Sequence, residues 1–230
     1  MITGVRALLF DLDGTLVDSA PDMAVAVDRM LSGVGRPPVG EAQVRQWVGN
    51  GAQRLVMRAL TGRHDGEPTE AETEHAVAAF LDYYGERLSE YSVLYPGTRA
   101  GLDRLQADGY RLACVTNKPE ALARRLLDEI GLAGHFPVVV GGDTLPVRKP
   151  DPAPVHHAIA ALGATPASTI MVGDSRADVD AGRNAGTFVV CVPYGYSQGE
   201  DVAAMAPDAI VDSIDDLHRL LAAGDRETGS

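Results

Sequence analysis

Apolar residues fall along this chain in two rhythms. From residue 98 onward, short continuous apolar runs alternate with stretches in which apolar positions recur every three or four residues. The runs are "YRLACVT" (110–116), "PVVVGG" (137–142), "TIMVGD" (169–174), "TFVVCV" (187–192) and "AIV" (209–211). The longer stretches are "TRAGLDRLQADG" (98–109), "PEALARRLLDEIG" (119–131), "DPAPVHHAIAALG" (151–163), "RADVDAGRNAG" (176–186) and "SIDDLHRLLAAG" (213–224). Runs apolar at successive positions predict strands covered on both faces, and the helices between them predict parallel crossovers. Val5–Phe10 adds one more strand near the start of the chain. The expected fold is α/β: a doubly wound, Rossmann-like parallel sheet.

Residues 19–91 keep only the helical rhythm. Ser19 followed by Asp22 reads as a capping-box-like helix start, with Met23, Val27, Met30 and Leu31 on one face. Further helices are expected over about 41–48, 52–60 and 69–90, separated by "GVGRPPVG", "GNG" and "TGRHDGEP". The predicted organisation is an α/β core of residues 1–17 and 93–230 with a helical cap domain, 18–92, inserted after the first strand. The closing residues 224–230 are expected to fray.

The first strand runs directly into "FDLDGTLVDS" (10–19), which sets Asp11 and Asp13 side by side at its end. Like charges repel, and carboxylates beside an apolar core are costly unless a cation or a proton neutralises them. Ligands of open parallel sheets bind beyond the carboxyl ends of the strands. Thr116 and Asn117 follow one strand, Lys149 lies in the loop after another, and Asp174 ends a third, with Asp178 close behind. Oxygen ligands without Cys or His suit a hard divalent cation, which points to Mg²⁺.

Composition narrows the partners. The chain has 230 residues, 45% of them hydrophobic, and a formal net charge of −12. Duplex binding needs Lys and Arg against phosphates, so neither nucleic acid nor an anionic membrane surface is an expected partner. No apolar run reaches membrane-spanning length, and the two cysteines, Cys114 and Cys191, sit in strand-like runs as buried reduced thiols. The expected setting is cytoplasmic, the expected partner a small-molecule phosphate ester, and the expected state a monomer or homodimer.

Asp11-Leu12-Asp13-Gly14-Thr15, Thr116-Asn117, Lys149 and Gly173-Asp174 with Asp178 resemble the four motifs of the haloacid-dehalogenase-like hydrolases. "DLDGTLVDSAPD", "WVGNGAQRL", "VTNKPE", "GGD", "GDSR" and "PYGY" together resemble the bacterial phosphoglycolate phosphatases over nearly the whole chain. The resemblance implies a Mg²⁺-dependent hydrolysis of small phosphate monoesters, with 2-phosphoglycolate the expected substrate. A sugar-phosphate phosphomutase on the same scaffold is the alternative.

Chemistry assigns the roles. An ionised Asp11 can attack phosphorus and become an aspartyl phosphate, with Lys149 supplying positive charge beside it. Asp13 can serve the leaving oxygen as general acid and then water as general base. Thr116 and Asn117 can hold phosphoryl oxygens. Asp11, Asp13 (through its carbonyl) and Asp174 are the expected metal ligands, with Asp178 behind them. Specificity for a substrate carboxylate is expected from the cap: from Arg45, Arg54 or Arg58, or from the Gly49-Asn50-Gly51 loop.

Overall fold

A computed structural model of the protein describes residues 2–228. In chain order its elements are β1 (Ala7–Phe10), β2 (Val17–Asp18), α1 (Ala20–Gly33), α2 (Gly40–Arg45), α3 (Ala52–Thr61), α4 (Glu70–Glu86), β3 (Val93–Leu94), α5 (Thr98–Ala107), β4 (Arg111–Val115) and α6 (Glu120–Glu129). They continue with β5 (Val138–Val140), α7 (Ala153–Ala161), β6 (Thr169–Gly173), α8 (Arg176–Asn184), β7 (Phe188–Cys191), β8 (Ala209–Ile210) and α9 (Ile214–Thr228). The fraying expected from residue 224 is not seen at 224–228, where the helical backbone continues, and residues 229 and 230 lie outside the described residues.

Six strands form one sheet in the order β5-β4-β1-β6-β7-β8, and every neighbouring pair is parallel. Alternate side chains serve opposite faces, as the pleat requires. Leu8, Phe10, Leu112, Cys114, Ile170 and Val172 share one core with Leu102 and Leu105 of α5, Leu126 of α6 and Leu217 of α9. Leu9, Ala113, Val115 and Met171 share the other with Val155 and Ile159 of α7 and Ala181 of α8. Both faces are therefore covered, which is why these strands read as unbroken apolar runs.

The strand order reverses at β1, and β4 and β6 flank it. The loops after these three strands leave from neighbouring points on one edge. Asp11 continues in register from β1, its amide donating to Val172 O (2.9 Å).

The helical insertion is closed at its base by a ribbon too short for any periodicity to signal. β2 and β3 pair antiparallel, Val17 opposite Leu94 and Asp18 opposite Val93. Asp22 ties the same base together, accepting from the Tyr91 amide and the Ser92 hydroxyl (3.0 and 2.6 Å). Within the insertion, α1 packs against α2, α3 and α4. Ser19 occupies the N-cap position of α1 but its side chain makes no capping bond, contrary to the capping-box expectation. Its hydroxyl donates to Asp13 Oδ1 instead (2.5 Å), a charged acceptor that competes better than a backbone group.

Candidate active site

The tight turn after β1 is made at Gly14, whose φ is +90°. A Cβ there would lie 2.4 Å from Asp174 Oδ2, so only glycine lets the β1 loop come this close to the end of β6. Asp174 is then held from both sides, accepting from the Thr15 hydroxyl and the Tyr196 amide (both 2.6 Å).

Asp178 lies one turn into α8 and is fully buried. Its Oδ2 accepts from the Ser175 hydroxyl (2.6 Å) and the Ser175 amide (3.1 Å), forming a capping box with Ser175. Its Oδ1 accepts from Lys149 Nζ (2.6 Å). Lys149 also donates to Val115 O (2.6 Å), and its Nζ lies 3.0 Å from Asp11 Oδ1 as an ion pair rather than an aligned hydrogen bond.

Asp11, Asp174 and Asp178 each offer one oxygen within 4.8 Å of the others. Burial pushes the Asp11 carboxyl up to about 6, with Asp178 and Asp13 adding to the rise and Lys149 opposing it. Burial, with the Asp178 and Asp11 carboxylates adding to it, pushes Asp174 well above the usual range. Counting Asp13, four carboxylates face two buried ammoniums, Lys149 and Lys118, which leaves two formal negative charges. An all-oxygen cluster short of two positive charges fits a divalent cation. Within the cluster, Asp178 gives one oxygen to Ser175 and the other to Lys149, and Asp174 gives one to Thr15 and the other to Tyr196.

Sequence reasoning passed over Lys118. It stands directly behind Thr116-Asn117, and that adjacency to a strand-end motif was the available signal. Its side chain is 3% exposed. Its three N–H donors go to Asp13 Oδ1 and Oδ2 (2.9 and 3.1 Å) and to the Tyr84 hydroxyl of α4 (2.7 Å). Burial works against the ammonium, but Asp13 and Tyr84 outweigh it and hold Lys118 above its ordinary range.

Thr116 is buried and its hydroxyl accepts from the Lys118 amide (3.2 Å). The Asn117 side chain bridges two loops, donating to Gly49 O and Lys149 O (3.0 and 3.1 Å). Neither residue caps α6, whose N-cap position is Pro119.

Asp11, Asp13, Thr116, Asn117 and Lys118 line a cavity roofed by Met23, Leu55, Phe80, Tyr84 and the Gly49 and Gly51 backbone. The space open to water-sized molecules is about 40 Å³, and one water needs on the order of 10–15 Å³. Only a very small ligand fits without movement of the roof.

The three cap arginines are not among the lining residues. Arg45 donates to Asp18 (2.7 Å) and Glu41 (2.8 Å) at the base of the insertion. Arg58 is buried, bonded to Trp47 O (2.7 Å) and His64 O (3.1 Å), and Arg54 reaches His64 O (3.1 Å). Asn50 faces Gln198, which donates to Asn50 Oδ1 (2.8 Å) and Val48 O (2.6 Å).

The family model of haloacid dehalogenase-like hydrolases matches residues 5–186. The chain belongs to this family. Hydrolases of this family generally use a divalent metal ion, which agrees with the charge left over in the aspartate cluster. A phosphoglycolate phosphatase of Nitrosococcus oceani is 44% identical over 96% of this chain and 98% of its own length. One of Pseudomonas putida is 48% identical over 94% of this chain and 78% of its own length. The crystal structure of a predicted phosphoglycolate phosphatase from Haemophilus somnus superposes with a TM-score of 0.87 at 37% identity, covering 96% of this chain and 99% of that one. No helix among the described residues is long and apolar enough to cross a membrane.

Proposed function

We propose that this chain is a Mg²⁺-dependent phosphatase that hydrolyses 2-phosphoglycolate to glycolate and phosphate through an aspartyl phosphate on Asp11. The observation that carries the reading is the arrangement at the strand ends. Asp11 sits beside Lys149 and a cluster short of two positive charges, at the floor of a small cavity. Relatives named for this activity, matched over 94–96% of this chain, support the choice of substrate.

Asp11 attacks phosphorus, and the bond to the ester oxygen breaks. Asp13 protonates that departing oxygen, then takes a proton from the water that cleaves the aspartyl phosphate. Ser19 and Lys118 hold Asp13 in place for both steps. The Thr116 hydroxyl and the Asn117 backbone amide receive the phosphoryl oxygens. Lys149 keeps positive charge beside Asp11 and is itself fixed by Asp178. Asp11, Asp174 and the Asp13 carbonyl would hold Mg²⁺, which when bound neutralises charge on the phosphoryl group. Residues 18–92 act as a cap that excludes water from the reacting centre. The largely apolar roof offers little to the hydroxyls of a sugar, which weighs against a phosphomutase. Two buried free thiols support a reducing, cytoplasmic setting.

The test is release of inorganic phosphate over a panel of phosphate monoesters, with Mg²⁺ and with excess chelator. Release from phosphoglycolate above the other esters, abolished by chelator and restored by Mg²⁺, is the expected result. Full activity in chelator, or none on any ester, would overturn it.

A further inference from the structure

The proposed reaction grips the phosphoryl group from the core, but nothing in it accounts for the other end of the substrate. Phosphoglycolate carries a carboxylate on the carbon next to its ester oxygen. Burying that charge against Met23, Leu55 and Phe80 without a partner would be prohibitive. The arginines expected to serve as partners do not line the cavity. Among the described residues, Lys118 is the one cation that lines it.

We propose that Lys118, steadied by Tyr84, is the specificity determinant that binds the substrate carboxylate, so that the site selects short phosphate esters with a carboxylate on the carbon next to the ester oxygen. The inference rests on the phosphatase reading above. Its geometry follows from Asp13. A group that protonates the ester oxygen must lie within hydrogen-bond reach of it. Lys118 Nζ lies 2.9 Å from Asp13 Oδ1. In the substrate, a carboxylate oxygen lies about 3 Å from the ester oxygen by ordinary bond lengths. A substrate whose ester oxygen meets one Asp13 oxygen can therefore set its carboxylate beside Lys118, which contacts both Asp13 oxygens (2.9 and 3.1 Å) and would exchange the longer contact for the carboxylate.

Tyr84 adds a second contact. Its hydroxyl accepts from Lys118 and keeps its own hydrogen to donate. Burial pushes its ionisation up to about 12, so the phenol stays protonated across the working range. The apolar roof strengthens both interactions by excluding competing water. Tyr84 comes from α4 of the insertion and Lys118 from the loop after β4, so the carboxylate pocket is complete only when the two meet.

The experiment compares kcat/KM for phosphoglycolate and for ethyl phosphate, which puts a methyl group where the carboxylate was. The ratio is the readout, because Lys118 also touches Asp13 and both rates will fall in its variants. Lys118→Met should reduce the ratio by about ten- to hundredfold. Lys118→Arg should keep most of it, and Tyr84→Phe should lower it several-fold. Calorimetric titration of both esters into Asp11→Asn and into Asp11→Asn with Lys118→Met reads the same preference without turnover. Wild-type enzyme that hydrolyses neither ester removes the phosphatase reading and this inference with it. Wild-type enzyme that hydrolyses both equally removes the substrate assignment. A wild-type preference that survives Lys118→Met overturns the role of Lys118 alone. If Lys118→Met does not fold, an unchanged ratio in Tyr84→Phe overturns it.

Discussion

Both lysines in the site are buried against aspartates, but they are anchored differently. Lys149 is held by Val115 O, Asp178 and Asp11, all from the strand ends of the sheet. Lys118 is held by Asp13 from the sheet and by Tyr84 from the helical insertion. The first ammonium keeps its place whatever the insertion does. The second depends on the two parts being docked. On the proposed reading the contrast separates two tasks: chemistry on a phosphoryl group common to all esters would sit on the sheet, and selection among esters where the insertion closes. Further bonds cross the same seam, among them Arg125 to Gly85 O and Ser89 to Glu129. Gln198 donates to Val48 O and Asn50, and Asn117 donates to Gly49 O.

The largest expected effect lies at the sheet end. Asp11→Asn keeps the shape of the proposed nucleophile and removes the charge that would attack phosphorus. Turnover of every ester should fall on the order of 10⁴-fold or more, with the circular dichroism spectrum unchanged. Substantial activity without deamidation back to Asp would break the assignment of chemistry to the sheet.

Lys149→Met should come next. Removing one partner of a buried ion pair strands Asp11 and Asp178 and costs about 3–5 kcal/mol. Urea denaturation should read that loss, and all esters should be affected alike. A variant that loses activity on phosphoglycolate but not on ethyl phosphate would erase the distinction between the two lysines.

Gln198→Ala tests the insertion end. Losing two hydrogen bonds to the 48–50 loop should raise KM several-fold for phosphoglycolate and cost about 1 kcal/mol of stability. Hydrogen exchange at the amides of 48–51 should quicken while those of β6 stay protected. Equal quickening in both places would mean that the loop and the sheet open as one unit.

The smallest effect is expected at Asp18, where Arg45 and Tyr196 meet at the base of the insertion. Burial pushes the Asp18 carboxyl up, but hydrogen bonds from Arg45 and Tyr196 outweigh it, and the net direction is down. A carboxyl lowered on folding stabilises the native state above its unfolded pKa and loses that contribution as pH falls through the folded value. The melting temperature of wild type should therefore exceed that of Asp18→Asn at neutral pH. The gap should close as pH falls below about 4. A gap that persists at pH 2 would show that the difference is one of packing.

The elements were largely legible in the sequence, because periodicity is a property of consecutive residues. The runs at 110–116, 169–174 and 187–192 predicted β4, β6 and β7 to within about two residues at each end. The same local logic placed Asp11, Thr116, Lys149 and Asp174 near strand ends, and a parallel sheet gathers its strand ends on one edge. β2 and β3 escaped it, since two residues cannot display a period.

What tertiary structure alone decided is the direction and partner of each charged side chain. Beyond its place directly behind Thr116-Asn117, nothing local distinguishes Lys118, paired with an aspartate 105 residues away, from a solvated loop lysine. Ser19 reads as a helix cap and serves Asp13 instead. Arg45, Arg54 and Arg58 read as cations facing a substrate, yet they bond to the base and loops of the insertion. The reason is energetic. A buried charge must find its counter-charge and hydrogen bonds in the folded interior, and the candidates there are set by packing across the whole chain. Sequence determined which groups stand at the sheet edge, and the fold determined which of them face one another.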